Sequence, residues 1–220
     1  KIKKRVRNDG TFFTKEMRGG DAAEITKESG IIRLYNKYLS LLDEKPLITK
    51  SISSGIVTAI GNILSQTIQA RVNKKDLQID TNQLAAFAVT GAIYAGPFVH
   101  YWYGLLYNVG QYILREYRIS NTVSILTQVF LDQSIGVLMY FPIYFYMYEL
   151  SESLVAARPP VMSSATEKLK MEFSSVFLMN YRIWPFTNYV NFAYVPLKLR
   201  CLFSNFVNVF WNAYLCAKVA

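Results

Sequence analysis

Four long stretches of this 220-residue sequence carry almost no charge, and their lengths limit the folds that the chain can adopt. Residues 51–70, 81–114 and 201–217 contain no Asp, Glu, Lys or Arg, and residues 119–148 contain one charged group, Asp132. A helix needs about 20 mostly apolar residues to cross the hydrocarbon core of a bilayer. A soluble domain could bury one such segment, but four of them in so short a chain predict a polytopic membrane protein.

Amino-acid composition agrees with a membrane location. Only 18% of the residues are charged, against about 25% in ordinary soluble domains. The aromatic fraction is 15% and includes 16 tyrosines, a residue that favours the interface between lipid and water. We therefore predict an all-α fold, a polytopic membrane helix bundle with about four transmembrane helices plus short amphipathic helices. Its first partner is the lipid bilayer.

Hydrophobic length and proline positions predict where the helices lie. The four predicted spans are residues 46–71, 82–114, 121–148 and 201–217. The second is too long for one upright crossing at about 1.5 Å per residue, so Gly96 and Pro97 are expected to kink it. A short amphipathic helix is predicted around residues 164–177, and Trp184 and Trp211 are candidate anchors at the membrane interface.

Positive charge is concentrated at the start of the chain, where residues 1–50 hold 12 of the 24 basic residues. We interpret residues 1–33 as a basic polar extension and residues 34–220 as the membrane domain. On a membrane protein such charge marks the side on which a segment is retained, so no nucleic-acid partner is predicted. Four crossings would place both termini on one face, which the basic residues assign to the cytosol or the mitochondrial matrix.

The first predicted span has two different faces. Ile52, Ile56 and Ile60 form an apolar face, while polar side chains recur at three- and four-residue spacing on another. Hydroxyl and amide groups are unfavourable in lipid, so the polar face is expected to contact other helices or water. The candidate polar-interior or pore-lining residues of this span are Ser54, Thr58, Asn62, Ser65, Gln66 and Gln69.

Small residues recur at multiples of four positions along the second predicted span. Ala88, Ala92, Gly96 and Gly104 predict a face on which another helix packs closely, because small side chains let two backbones approach. His100 lies on the same face. It is either a hydrogen-bonded structural histidine or, as an alternative, a group that handles protons in a polar interior.

Asp132 lies near the middle of the third predicted span, where an ionised carboxylate is costly unless it is paired or hydrated. Two interpretations remain open. Asp132 could line an aqueous path, or it could form an ion pair with Arg182, Lys198 or Arg200 inside the bundle. The adjacent Gln133 is expected to make hydrogen bonds between helices.

Known catalytic and cofactor-binding motifs are missing from the sequence. It has no phosphate-binding P-loop, no nucleophile elbow, no zinc-protease motif and no dinucleotide fingerprint. The single histidine, His100, cannot supply the imidazole ligands of a typical metal site, and Cys201 and Cys216 are interpreted as buried apolar residues. We therefore predict a protein that is not an enzyme and uses no cofactor and no metal.

Two groups of residues resemble the motifs of a known family. The first is the run Gly96–Tyr103, which contains Pro97, His100 and Trp102. The second comprises Trp184, Pro185, Asn191, Phe192, Pro196, Arg200 and Trp211. In this order, over residues 35–218, they are similar to the motifs of the Mpv-seventeen and twenty-two-kilodalton peroxisomal membrane protein family.

This resemblance implies four membrane helices, a location in the mitochondrial inner membrane or the peroxisomal membrane, and no known catalysis. It also implies a possible pore, because some members are proposed to form weakly selective pores for small solutes. The sequence departs from the family pattern where Asn62 follows Gly61 in place of aspartate, and where arginines are missing after Asp80. Loss of a carboxylate together with its basic partners suggests relaxed demands on the polar interior.

The sequence supports three functional hypotheses. The first is a non-catalytic accessory structural subunit of a mitochondrial inner-membrane assembly of the respiratory-chain or ATP synthase type. Such a subunit would bind other subunits through residues 1–33 and its helix faces. The alternative is a weakly selective small-solute channel of the mitochondrial inner or peroxisomal membrane. The third is a proton-coupled transporter that uses His100 and Asp132. The basic N-terminus favours the mitochondrial membrane.

Overall fold

The computed structural model describes the backbone of residues 30–219 and the side chains of residues 32–211. The predicted extension 1–33 therefore lies almost entirely outside the described residues. The chain divides into two compact units, residues 1–37 and residues 38–220. The second unit contains all four predicted spans.

Within the described residues every regular element is helical. The helices are α1 (Gly30–Glu44), α2 (Pro46–Val72), α3 (Thr81–Thr90), α4 (Gly96–Tyr117), α5 (Asn121–Leu131), α6 (Val137–Val155), α7 (Met162–Tyr194) and α8 (Arg200–Val219). Five-residue π-helical segments, Gly91–Ala95 and Asp132–Gly136, join α3 to α4 and α5 to α6 without a loop. A 3-10 turn, Leu197–Leu199, separates α7 from α8. The expected irregularity in the second span therefore takes the form of a π-helical segment that ends next to Gly96.

Local sequence signals account for the helix ends. Pro46 occupies the first turn of α2, where its missing N–H would have no helical partner. Asp80 accepts a hydrogen bond from the backbone N–H of Gln83 at 2.9 Å and so caps α3. Pro196, which follows α7, adopts an extended ψ of 141° and ends that helix.

Three helical stretches of the described chain are long and apolar enough to cross a membrane. They are Pro46–Val72, Thr81–Tyr117 and Asn121–Val155. They contain the first three predicted spans, and the prediction of an all-α membrane bundle is confirmed. The fourth predicted span, 201–217, lies in α8, which is not one of these three stretches; three asparagines lower its hydropathy.

Helix α7 is the main departure from the sequence prediction. It is one helix of 33 residues, where the sequence predicted only a short amphipathic helix around residues 164–177. It runs antiparallel to α5 and α6, since Thr166 bonds to Tyr146 and Asn188 bonds to Asp132. This additional traverse reverses the direction of α8, so α2 begins and α8 ends at opposite ends of the bundle. The described helices therefore contradict the prediction that the first span begins and the fourth span ends on one face.

The expected interfacial anchors, Trp184 and Trp211, are core residues. Their side chains are only 9% and 5% exposed, and their ring centroids lie 6.2 Å apart in an edge-to-face arrangement. The turn at Pro196 folds α8 back along α7 and brings the two indoles together beside Val176. An interfacial position was predicted because tryptophan favours the boundary between lipid and water.

The two faces of α2 behave as the sequence predicts. Ile52, Ile56 and Ile60 are each at least half exposed and face the side available to lipid. Ser54 and Asn62, on the polar face, are buried against neighbouring helices. Because lipid tails cannot satisfy hydroxyl and amide groups, this inward polar face fixes the rotation of α2 in the bundle.

Small residues bring α2 close to α3 and α4. A Cβ atom added at Gly96 would lie 2.7 Å from the Cα atom of Ser51, and one at Gly91 would lie 2.7 Å from the Thr58 hydroxyl oxygen. Ala88 and Ala92 face Gly55 of α2, whose added Cβ would lie 2.9 Å from the Ala88 carbonyl oxygen. The predicted packing face is thus real for Ala88, Ala92 and Gly96.

Gly104 does not belong to this packing face. A Cβ atom added there would have no heavy atom within 4 Å among the described residues. Gly96 and Gly104 both lie in the regular helix α4. Eight residues at 3.6 per turn rotate Gly104 by about 80° relative to Gly96, so a strict four-residue repeat gradually leaves one side of the helix.

Candidate functional site

A cavity of about 440 Å³ lies between α2, the continuous helices α3–α4 and α5–α6, α7 and α8. One part of its wall carries amides and hydroxyls, which include Asn62, Ser65, Asn180 and Asn208. The other part is aromatic, with rings from α4 and α6 in contact along its length. The cavity therefore offers hydrogen-bonding groups and π faces to the same guest.

The described lining of the cavity extends from one end of the bundle towards its interior. Gln69, Gln83 and Lys168 line its mouth, and they lie near the helix ends that loops 73–80 and 156–161 connect. The wall then runs inward to Tyr103, near the middle of the continuous helix α3–α4, and to Ser204, in the second turn of α8. Among the described residues, the half of the bundle beyond these two contributes no lining, so the cavity is closed at this inner end.

Two salt bridges stabilise loop 156–161 beside this mouth. Glu149, which is 2% exposed, accepts hydrogen bonds from Arg158 at 2.7 Å and from the backbone N–H of Val161 at 2.9 Å. The hydrogen bond to Glu149 holds the pKa of the Arg158 guanidinium above its ordinary value. Glu152 also accepts from Arg158, at 2.9 Å. These bonds fix where α7 begins relative to α6.

Asp132 lies deep in the cavity and is held by uncharged donors. Its Oδ1 atom accepts from the Trp102 indole N–H at 2.8 Å. Its Oδ2 atom accepts from the amide groups of Gln133 at 2.8 Å and Asn188 at 2.5 Å. Three N–H donors are therefore directed at this one carboxyl group. A π-helical segment begins at Asp132, a feature common at functional sites.

The predicted ion pair with a basic residue is wrong. Lys198 pairs with Asp43 at 3.0 Å, and Arg200 donates to backbone carbonyl oxygens instead. Arg182 is exposed on the outer face of α7. Among the described residues no cation pairs with Asp132, and of the two open interpretations the structure places this carboxylate on the wall of a cavity.

Gln133 bridges α6 and α7, as expected of an interhelical amide. Its side-chain oxygen accepts from the Asn180 amide at 2.8 Å, and its backbone carbonyl accepts from the Tyr181 hydroxyl at 2.7 Å. Since its amide nitrogen donates to Asp132, every polar group of the Gln133 side chain has a partner. The arrangement ties the π-helical segment to α7 and holds the Asp132 carboxylate in place.

Polar side chains close the inner end of the cavity. The Tyr103 hydroxyl lies 2.7 Å from the Ser204 hydroxyl, and Ser204 accepts from the Asn191 amide at 3.1 Å. Behind this layer, Leu106 and Phe192 belong to the apolar core that fills the other half of the bundle. The closure depends on one layer of hydroxyl and amide contacts backed by packed side chains.

Arg200 supports this closure from behind. Its guanidinium donates to the carbonyl oxygens of Phe192 at 2.9 Å and Val195 at 3.2 Å. These carbonyls lie at the end of α7, where a helix leaves its last carbonyl groups without partners. The guanidinium also lies 5.6 Å from the centre of the Tyr107 ring. Arg200 therefore fixes the sharp turn between α7 and α8.

The remaining candidate residues predicted from the sequence lie outside the cavity wall. His100 bonds to Lys50, with 3.1 Å between its Nδ1 atom and the Lys50 ammonium nitrogen. Ser54 accepts from Asn205 of α8 at 2.8 Å, and Thr58 donates to the Ser54 carbonyl. Gln66 binds the backbone N–H of Asp80 at 2.7 Å. The Thr58 bond stays within α2, and the other three side chains connect α2 to neighbouring helices. In contrast, Asn62, Ser65, Gln69, Asp132 and Gln133 line the cavity.

Comparison with known proteins agrees with the motifs. A family model described as Mpv17 / PMP22 family matches residues 154–216, which contain α7 and most of α8. Peroxisomal membrane protein 2 of Bos taurus is 28% identical over 204 residues, covering 89% of this chain and 96% of that protein. Mitochondrial inner membrane protein Mpv17 of Caenorhabditis briggsae is 27% identical over 188 residues, covering 86% and 92%.

The resemblance to the Mpv17 / PMP22 family is confirmed, by the family model over residues 154–216 and by relatives over most of the chain. PXMP2/4 family protein 2 of Dictyostelium discoideum, 29% identical over 185 residues, covers 83% of this chain and 89% of its own length. No solved structure matches the chain. The names of these relatives include the peroxisomal membrane and the mitochondrial inner membrane, which are the predicted alternative and main locations.

The Mpv17 / PMP22 motif residues surround the cavity and its closed end. Trp102 holds Asp132, Trp184 and Trp211 line the wall, and Asn191 contributes to the closure. Pro97 lies in the first turn of α4, and Pro185 is tolerated inside α7. Sequence reasoning missed the cavity amides Asn180 and Asn208, for which no pattern in the sequence gave a signal.

Proposed function

We propose that this protein provides a path for small polar solutes across the mitochondrial inner membrane or the peroxisomal membrane. The cavity supports this proposal, because an amide- and hydroxyl-lined space inside a membrane bundle has no role in packing alone. Polar residues within membrane segments typically face such spaces and mark solute pathways. The proposed role is non-catalytic, and the basic N-terminal residues favour the mitochondrial membrane.

The closed inner end makes this path a gated one. Solute would enter past Gln69 and Lys168. It would stop where the hydroxyl oxygens of Tyr103 and Ser204 lie 2.7 Å apart. Passage requires α4 and α8 to separate at this layer, and it also requires the packed side chains behind it, which include Leu106 and Phe192, to move apart. A cavity of about 440 Å³ lies within the range of pockets for small ligands, about 300–1,000 Å³.

Liposome swelling tests this proposal. We expect purified protein in liposomes to increase the permeability to glycerol strongly and the permeability to sucrose much less, because the cavity limits solute size. Protein-free liposomes of the same lipid composition provide the baseline. If the protein raises the permeability to neither glycerol nor sucrose above that of protein-free liposomes, a solute path is contradicted.

An accessory structural role is the second candidate, and the blind end of the cavity favours it. In this role the body of the protein would pack against other subunits of an inner-membrane assembly of the respiratory-chain or ATP synthase type. Electrophoresis of mild-detergent extracts separates the two candidates. Stable co-migration with such an assembly, together with no increase in liposome permeability, would support the accessory role and contradict the solute path.

A proton-coupled transporter draws no support from the geometry. His100 bonds to Lys50 and does not line the cavity, whereas Asp132 lies on its wall. The two titratable groups on which that hypothesis depends therefore do not share one site.

A further inference from the structure

We propose that the cavity binds small organic cations that carry an ammonium group, with Asp132 as the counter-charge and the aromatic wall as the surrounding surface. This inference rests on the proposed function and names the class of solute that the path would select. Three features of the cavity support it: its charges, an acceptor position of the Asp132 carboxylate that has no donor, and its aromatic rings.

The charges of the cavity give it a negative interior. Among the described residues, its lining contains three that are charged, Asp132, Lys168 and Glu172. Lys168 and Glu172 lie one helical turn apart at the mouth and compensate each other, and Lys168 is exposed to solvent. Asp132 is 8% exposed and deep in the cavity, where no described cation pairs with it. A cleft with one sign of uncompensated charge attracts ions of the other sign.

The Asp132 carboxylate has one acceptor position left. A carboxylate offers about four lone-pair sites, of which Oδ2 uses two for Gln133 and Asn188 and Oδ1 uses one for Trp102. The Gln133 amide is oriented by Asn180, which donates to its oxygen, so its N–H group must face Asp132. All three neighbours are donors, and none can take up negative charge. The remaining site suits a guest that donates a hydrogen bond or carries positive charge.

The aromatic wall leads directly to this carboxylate. Trp102 stacks on Phe98 with centroids 6.1 Å apart, and Phe98 contacts Tyr140 at 5.2 Å. Tyr140 stacks on Tyr144 at 5.7 Å. All four rings line the cavity. The face of an aromatic ring attracts an ammonium group within about 6 Å, most strongly where water is excluded. A carboxylate beside several such faces favours a cation over a neutral solute of the same size.

Two tyrosine hydroxyls add acceptors without competing partners. Tyr140 and Tyr144 line the cavity, and among the described residues neither hydroxyl makes a hydrogen bond. The hydroxyl of Tyr94, by contrast, donates to the Tyr140 carbonyl oxygen at 3.0 Å and is engaged. The free hydroxyl oxygens can accept from a guest that the carboxylate and the rings have bound.

Choline and its uncharged carbon isostere, in which a tert-butyl group replaces the trimethylammonium group, form the test pair. They have the same shape and differ only in charge. Binding to the purified full chain is measured by calorimetry in detergent. We expect choline to bind at least about tenfold more tightly than the isostere, as the pairing with a buried carboxylate requires.

Two cavity variants and one control locate the site. Asp132→Asn keeps the shape of the side chain and should remove most of the preference for choline. Tyr144→Leu should weaken choline binding by about three- to tenfold, the effect of one ring face. Phe130→Leu, on the lipid-facing side of α5 and 69% exposed, should leave binding unchanged. If Asp132→Asn does not fold, two other measurements still test the inference. They are the comparison of choline with its isostere on the wild-type protein and the choline affinity of Tyr144→Leu.

Equal binding of choline and its isostere by the wild-type protein would overturn the inference, as would an undiminished preference in folded Asp132→Asn. The result is separable from the solute-path proposal. Glycerol flux without a choline preference would contradict the cation site and leave the path intact. A choline preference without any flux would support the cation site and contradict the path.

Discussion

The Gly96→Ala variant is expected to lose about 1–3 kcal/mol of unfolding free energy, the usual cost of an overpacked contact. The added Cβ atom would lie 2.7 Å from the Cα atom of Ser51 and 3.1 Å from the Lys50 carbonyl oxygen. Both are backbone atoms of α2, so relief requires the whole helix to move. Denaturant or thermal unfolding of the purified protein in detergent measures the loss.

Gly104→Ala is the matched control on the same helix. An added Cβ there meets no heavy atom within 4 Å among the described residues. Removing a glycine from a helix interior typically stabilises it by about 0.5–1 kcal/mol, so this variant should equal or exceed the wild type in stability. Equal losses in Gly96→Ala and Gly104→Ala would contradict the close approach of α2 and α4.

The Arg200→Met variant is expected to lose about 2–4 kcal/mol, because it removes two hydrogen bonds from a charged donor. Arg200 is 5% exposed, and its guanidinium binds the carbonyl oxygens of Phe192 and Val195. Without it these carbonyls at the end of α7 lose their partner, and the turn into α8 loosens. Unfolding measured in detergent, as for the glycine variants, gives the magnitude.

Lys198→Met provides the control two residues away. Lys198 pairs with Asp43 at 3.0 Å, but both side chains are substantially exposed, at 43% and 62%. Exposed ion pairs typically contribute less than about 1 kcal/mol, so this variant should stay close to the wild type. Arg200→Lys should not restore stability, because an ammonium group cannot reproduce the planar fork of a guanidinium. A fully stable Arg200→Lys protein would contradict the proposed helix-end role.

Features that depend on local pattern were predictable from the sequence. The apolar and polar faces of α2 follow from the spacing of isoleucines and of hydroxyl and amide residues, and the bundle confirms both. The first three spans follow from charge-free length, and Pro46 and Pro196 mark helix boundaries. These features were predictable because a lipid environment acts on each residue almost independently of its distant neighbours.

Features that depend on distant partners were not predictable. Asp132 and Asn188 are 56 positions apart, and only the antiparallel pairing of α7 with α5 and α6 brings them together. The charge of Asp132 suggested a basic partner, but the tertiary structure supplies an indole and two amides. The π-helical segments carry no simple sequence signature, and the loss of Gly104 from the packing face depends on where α2 packs along α4.

Chemical blockage of the cavity tests the proposed solute path most directly. In a background of Cys201→Ser and Cys216→Ser, Ser65→Cys places a thiol on the cavity wall. Val72→Cys places one near the same end of α2, on a residue 59% exposed that does not line the cavity. Both proteins are labelled with a bulky maleimide before reconstitution, and mass spectrometry confirms equal labelling.

We expect the label to abolish most of the glycerol flux through Ser65→Cys and to leave the flux through Val72→Cys unchanged. Unlabelled samples of both variants should conduct like the cysteine-free background. If labelled Ser65→Cys conducts as well as its unlabelled form, solutes do not cross through this cavity and the proposed path is contradicted.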